Sequence, residues 1–362
     1  MRFSRIADGL AAASLLAALI MLPLNLSAQE NPAETADSNA AAAAADGDSA
    51  AQPAAAERLK PKFVRAGADP WVIEYKGRYY WSQSDNGTRS IRLWVSDSLE
   101  EPGEFKAIWT APRRGPFSRE LWAPEIHFVD GRFYVYFAAD DGNNANHKTY
   151  VLVSENDDPF SKYELKGPVY TGDDFENKTE NRWAIDATLF EHEGKYYLIW
   201  SGWKDGRDIQ YLYIAPLDET LAQTAGPRVL LCDNADYLWE RVEERLGTRG
   251  LCEGPEILRA PNGRIFLTYS CGASWLPTYK IGMLEFTGGD PLDPGAWKKF
   301  PEPLFQSDEF QFGVGHGSFL RDKEGDMRFL YHAKRSRDAG WPRDVFIRYL
   351  DFDESGFPSV RY

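Results

Sequence analysis

Five times between Ala68 and Lys334 the chain repeats one pattern of apolar and polar positions. An alternating or mostly apolar run leads to a glycine with charged or polar neighbours, and a second run rich in Tyr, Phe, Leu and Trp follows. The stretches read ADPWVIEYKGRYYWSQS from Ala68, APEIHFVDGRFYVYFAA from Ala123, WAIDATLFEHEGKYYLIWSGW from Trp183, EGPEILRAPNGRIFLTYSCG from Glu253 and GHGSFLRDKEGDMRFLYHAK from Gly315. Two such runs around a glycine predict an antiparallel hairpin, because side chains alternate between the faces of a strand and glycine takes a tight turn without steric cost. The turn glycines are Gly77, Gly131, Gly194, Gly263 and Gly325, spaced by 54, 63, 69 and 62 residues. That period is longer than a solenoid repeat.

A unit of about sixty residues, with room for two more strands after each hairpin, predicts the four-stranded blade of a β-propeller. Five hairpins predict an all-β fold of five blades. Candidate outer strands are IRLWVSDS from Ile91, TYVLVSE from Thr149, IQYLYIAPL from Ile209 and YKIGMLEF from Tyr279, and the final DVFIRYLDFDESGFPSV reads as one more strand pair. A β-sandwich would also use such hairpins, but it gives no reason for polar residues to recur at one place in each. Counting back from the turn glycine, Asp69 lies 8 residues before it, Glu125 6, Asp186 8, Glu253 10 and His316 9. A single Asp before a strand is a turn or capping residue. Five ionisable groups at the same end of five innermost strands converge on one mouth of the channel, and beside Trp71, Trp122, Trp183 and Trp203 they read as a site rather than a core.

Composition narrows what that site serves. The chain of 362 residues carries 41 Lys plus Arg against 55 Asp plus Glu, a formal charge of -14. Such a surface offers no footprint for nucleic acid and is repelled by anionic membrane. Aromatics make up 14% of the residues; most are expected to pack between blades, but ring faces also stack on neutral sugars. Residues 1–28, with Arg2 and Arg5 before an apolar run that ends in small residues, resemble a secretory signal peptide more than a membrane anchor, since the run is short for a span. Residues 29–61 are an Ala, Pro, Asp and Glu tether with almost nothing large to bury. From residue 62 to 362 a single folded domain is expected, secreted or periplasmic and monomeric. Cys232, Cys252 and Cys271 allow at most one disulfide, and Cys252, although it adjoins Glu253, has no paired His or nucleophile motif. There is no phosphate-binding glycine loop, no zinc spacing, and the acidic stretch at 138–148 lacks the glycine and terminal Glu of an EF-hand.

ADPWV with Asp69, WAPEI with Trp122 to Ile126, IDATLF with Asp186, EGPEIL with Glu253 and GVGHGSF with His316 together resemble the motif series of glycoside hydrolase family 43, from Ala68 to about Trp341. The resemblance implies a five-bladed propeller that hydrolyses arabinose- or xylose-containing polysaccharides with inversion. It implies that Asp69 is the general base, that Asp186 tunes and orients, and that Glu253 is the general acid. Inversion independently requires such a pair, one carboxylate activating water and one carboxylic acid protonating the leaving oxygen, ~6.5 to 9.5 Å apart. Glu125 and Glu256 are rival acids, ranked lower because strand alternation sends an odd displacement from Glu253 to the opposite face. Trp71, Trp122, Glu125, Trp203 and His316 are the candidate substrate-binding residues. The chemistry needs no cofactor; the resemblance implies that His316 lies near the axis, beside a structural calcium reached through water, while a hydrogen-bonding His in the core is the competing reading. Within the family the longer runs look most like exo-acting α-L-arabinofuranosidases, and no room is expected after the propeller for the extra β-sandwich of the β-xylosidases. Endo-arabinanase, β-xylosidase and a non-catalytic carbohydrate-binding propeller are the alternatives.

Overall fold

The computed structural model describes residues 60–360 apart from 85, 86, 207 and 339. The signal-like segment and all but the last two residues of the tether lie outside them. A short strand, β1 (Lys62–Ala66), precedes five four-stranded antiparallel sheets. The first blade is β2 (Ala68–Tyr75), β3 (Arg78–Ser84), β4 (Ser90–Ser96) and β5 (Glu104–Thr110). The second is β6 (Arg119–Val129), β7 (Arg132–Asp140), β8 (Lys148–Ser154) and β9 (Tyr163–Leu165). The third is β10 (Ala184–His192), β11 (Lys195–Trp203), β12 (Gln210–Pro216) and β13 (Val229–Cys232), and the fourth is β14 (Cys252–Arg259), β15 (Ile265–Cys271), β16 (Lys280–Phe286) and β17 (Trp297–Lys299). The fifth contains β18 (Phe312–Arg321), β19 (Met327–Lys334) and β20 (Arg343–Tyr349). Strands β2, β6, β10, β14 and β18 contact one another in turn, and β18 meets β2, so the ring closes into a five-bladed β-propeller.

The fourth strand of the last blade is β1, which pairs antiparallel with β20 through Lys62↔Ile347, Phe63↔Phe346, Arg65↔Val345 and Ala66↔Asp344. This corrects the expectation of a C-terminal strand pair from Asp344. Residues up to Tyr349 belong to β20, whose backbone edge takes up the N-terminal strand rather than face water unpaired. The pair that does form is the small ribbon of β21 (Asp351–Phe352) and β22 (Pro358–Ser359).

Strand alternation builds the core. In β11, Leu198 and Trp200 pack toward the second blade against Tyr136 and Val151, while Tyr197 and Ile199 pack toward the fourth against Leu267 and Leu284. In β7, Phe133 and Val135 turn toward the first blade and Tyr134 and Tyr136 toward the third. Two-sided burial explains why the second strands read as near-continuous apolar runs instead of clean alternation.

Each innermost strand also breaks register once, at the same place: between Ala68 and Trp71, Trp122 and Glu125, Ile185 and Thr188, Glu253 and Glu256, and Gly315 and Ser318. At the apex of each bulge stands a residue with left-handed backbone, Asp69 (φ 56°), Ala123 (42°), Asp186 (53°), Gly254 (53°) and His316 (43°). Four of these are not glycine, and side-chain-bearing residues adopt that region at a cost of roughly 1–3 kcal/mol. Neighbouring blades hold them there. Ser84 Oγ accepts from Ala123 N at 2.7 Å, Ser270 Oγ from His316 N at 2.6 Å, and His332 Nδ1 lies 3.2 Å from Asp69 N.

If β1 closes the ring, a chain starting at Lys62 should melt within about 2 °C of one starting at Gln29, because the tether has little to bury. A chain starting at Gly67 should melt roughly 5 °C lower or more, having lost a ladder of backbone hydrogen bonds and the packing of Val64 against Trp81 and Ile347. Scanning calorimetry of the three chains measures both differences.

Candidate active site

The bulges decide which side chains meet. Apex residues Asp69, Asp186 and His316 line a single cavity of about 750 Å³, together with the residues one position before the apex in three blades, Trp122, Ile185 and Glu253. The other two apices, Ala123 and Gly254, leave the space open. A Cβ on Gly254 would stand 2.9 Å from the ring of His316.

The same register corrects two expectations. Glu125 is not the second-blade counterpart of Asp69; it lies two residues beyond the apex, beneath the cavity, buried with Glu256 and 3.3 Å from His127 Nε2. Glu256 is not on the opposite face from Glu253, because Glu253 pairs with Ser270 and Glu256 with Thr268. Three residues on the bulged strand span two on its partner, so both side chains face the channel, separated by roughly 7 Å of strand rise. Burial, and for Glu125 also the charge of Glu256, pushes both carboxyls well above the usual range. Trp71 also stays out of the cavity: its indole donates to Ile126 O at 2.7 Å and its ring packs 4.6 Å from that of His127, between the first two blades. Trp203 stacks at 4.8 Å behind Trp183, and Trp183 forms the wall.

Several lining residues carry no repeat signal and escape sequence reasoning: Trp275, Trp341, Gln210 and Arg343 come from loops or strand starts outside the hairpins. His332 could have been found, since it occupies in β19 the place that Ser84 and Ser270 hold in their blades.

Two opposed electrostatic environments share the cavity. Burial by itself would raise the Asp69 carboxyl, but His316 Nδ1 at 3.2 Å, His332 Nδ1 at 3.2 Å and Arg343 at 3.9 Å outweigh it and hold the group far below the usual carboxylate range. Arg343 lies 3.4 Å from His332 Nε2. A guanidinium can only donate, so the neutral ring carries its proton on Nδ1, facing Asp69. Burial and Arg343 drive His332 down to about 4, which keeps that tautomer neutral near pH 7. Asp186 and Glu253 show the opposite behaviour. Burial, followed by the charges of Glu253 and Asp69, raises Asp186; burial and Asp69 raise Glu253 against the hydrogen bond from Tyr279 OH at 2.8 Å. Gly254 N donates to Asp186 Oδ2 at 3.1 Å, and His316 Nδ1 lies 3.8 Å from the same oxygen, so one imidazole spans both settings. The cavity presents an ionised carboxylate on one side and a proton-retaining carboxyl pair on the other, the separation needed by a general base and a general acid.

The sequence profile of glycosyl hydrolases family 43 matches residues 60–358. The chain belongs to this family. It is 34% identical over 285 residues to an extracellular exo-α-(1→5)-L-arabinofuranosidase of Streptomyces chartreusis, covering 76% of this chain and 82% of that protein. It is 30% identical over 281 residues to α-L-arabinofuranosidase 43 of Humicola insolens, covering 75% of this chain and 55% of that longer protein. Among solved structures, the α-L-arabinofuranosidase of Lactobacillus brevis superposes with a TM-score of 0.72 at 28% identity, over 83% of this chain and 94% of that one. This family 43 member is therefore a glycosidase with the family's propeller and a cavity at the end of its channel.

Arg343→Met tests the electrostatics. Asp69 accepts a proton only when ionised, so activity falls on the acid side as pH drops through its pKa; removing the cation raises that pKa and should move the acid limb of kcat/KM to higher pH. An unmoved limb in the variant would show that Arg343 does not set the charge of Asp69.

Proposed function

We propose that this protein is an exo-acting α-L-arabinofuranosidase that removes terminal arabinofuranosyl residues from an arabinose-containing polysaccharide, with inversion. The observation that carries the chemistry is an ionised Asp69 facing a proton-retaining Asp186 and Glu253 pair across one cavity. The substrate class is supported by the activities of the three arabinofuranosidases that resemble the chain. Secretion is supported by the extracellular Streptomyces relative and by the signal-like composition of residues 1–28.

In this reading, Asp69 takes a proton from the water that attacks the anomeric carbon, while Glu253 gives one to the departing glycosidic oxygen as the bond to it breaks. Tyr279 and Gln210 hydrogen-bond the Glu253 carboxyl and fix its rotamer, with Tyr279 occupying Oε1. Asp186 keeps Glu253 protonated through like-charge repulsion and is itself aimed by Gly254 N. Trp122, stacked at 4.0 Å on His147, and Trp183 give the sugar two apolar walls. Calcium does not fit the donor set at the axis. Calcium takes six to eight oxygens, whereas His316 offers nitrogen and spends Nδ1 on Asp69 and Asp186. Every step above runs on the chain's own groups.

The deciding experiment incubates the protein with aryl α-L-arabinofuranoside, aryl β-D-xyloside and linear arabinan. Free arabinose should be released singly and faster than xylose; early arabinan oligomers would mark endo action, and xylose release in excess would mark a xylosidase. Proton NMR should show the inverted anomer first.

The carboxylates should separate by leaving group. Glu253→Gln should lose on the order of a hundredfold or more on a natural glycoside but far less on a dinitrophenyl arabinoside, whose departure needs no proton. Asp69→Asn should lose activity on both. Equal losses for Glu253→Gln on the two substrates would remove it from the acid role.

The alkaline limb tests Asp186. Glu253 works only while protonated, so activity falls as pH rises through the raised pKa of the pair. Asp186→Asn removes the repulsion and should shift that limb toward lower pH, as read from kcat/KM against pH on the natural glycoside.

A further inference from the structure

A second cavity, of about 340 Å³, adjoins the first where the fifth blade meets the first, and the two share Ser84, Trp341 and Arg343. Its character is opposite to that of the whole chain. The protein carries a formal charge of -14, yet this cavity is lined by four arginines, Arg65, Arg92, Arg335 and Arg343, and among its described lining residues there is no carboxylate. Placing four like charges around one hollow is costly unless something anionic enters it.

The arginines are presented in an ordered way. The Arg65 guanidinium lies 3.7 Å over the ring of Trp94, and that of Arg92 lies 4.6 Å over Phe105. Stacking uses the face of a guanidinium and keeps its N–H groups in the plane, where they match the two oxygens of a carboxylate. Arg335 is held by the carboxylate of Asp344 at 2.7 to 2.9 Å, which shows the same recognition within the chain. Arg343 joins the two cavities: one nitrogen reaches toward Asp69, while its Nε is buried without a hydrogen-bond partner. Phe105 and Trp341 are 53% and 58% exposed, large rings left facing solvent at the rim of a charged hollow. Exposed rings beside guanidinium edges are what a sugar bearing a carboxylate requires, one for its apolar face and the other for its charge.

We propose that this second cavity is a subsite for an acidic sugar unit, a uronate, carried by the polysaccharide beside the arabinosyl residue that the first cavity cleaves. The inference rests on the arabinofuranosidase reading of the first cavity. It deepens that reading by naming the substrate: an arabinosylated polysaccharide with uronate units, not a neutral arabinan alone. A third hollow of about 440 Å³ shares Arg65, Ala66 and Trp94 with the second and extends the path outward.

The test compares arabinose release from an arabinosylated oligosaccharide containing a uronate with release from the same compound after its carboxyl is reduced to the neutral alcohol. An aryl α-L-arabinofuranoside serves as the reference. Wild-type kcat/KM should favour the acidic compound about tenfold, the size of a charge-assisted contact, and the preference should shrink in about 0.5 M NaCl. In Arg92→Gln the ratio should fall toward one; because it is a ratio within one preparation, partial unfolding of the variant does not affect it. Equal rates on the two compounds while the aryl arabinoside is cleaved would overturn the subsite and leave the arabinofuranosidase reading standing. If the aryl arabinoside is not cleaved, binding decides: an oligogalacturonate titrated against tryptophan fluorescence should saturate, and should do so more tightly than inorganic phosphate. Saturation with phosphate at the same concentration, or none with the oligogalacturonate, would overturn the proposal.

Discussion

The active site depends on one backbone irregularity, an extra residue in each innermost strand, held in left-handed conformation by the blade beside it. A regular strand would send alternate side chains into the two inter-blade cores. The bulge turns Asp69, Asp186 and His316 out of those cores and lets the residues just before the apex, Glu253 among them, face the same space. The cost of the left-handed residues is offset by hydrogen bonds that cross from one blade to the next, such as Ser270 Oγ to His316 N. Strain and support therefore belong to different blades, and the geometry exists only in the closed ring.

Charge is distributed within that geometry by donors on the fifth blade. Arg343 and His332 stand behind Asp69, on the side away from Glu253, so the cationic influence falls off across the cavity while burial acts everywhere. Two carboxyls of nearly equal intrinsic acidity thus end in different protonation states. The arrangement needs no mobile part; the neighbours are fixed by β19 and β20, strands buried on both faces.

Much of this was legible in the sequence because period-two apolar runs broken by glycine are a strong signal, and because Asp69, Asp186 and Glu253 sit at hairpin starts. The unread part has a common physical origin. A bulge adds one residue without changing composition, so alternation counted through it assigns Glu256 to the wrong face and lets Trp71 and Trp122 look equivalent, although one packs between blades and the other lines the cavity. The strand Lys62–Ala66 is too short and too polar to announce itself, and its partner is remote. Arg343 and Trp341 belong to no repeat, and their importance comes from where the last blade brings them.

The pairing of β1 with β20 also orders events in time. Arg65 and Val345 are 280 residues apart in the chain, and contacts of such separation are slow to form because the intervening loop must close first. The first strand to be synthesised is thus the last to find its place, and until it does the fifth blade presents a bare edge and the cavity has no fixed fifth wall. Assembly of the catalytic centre and completion of the polypeptide are the same event.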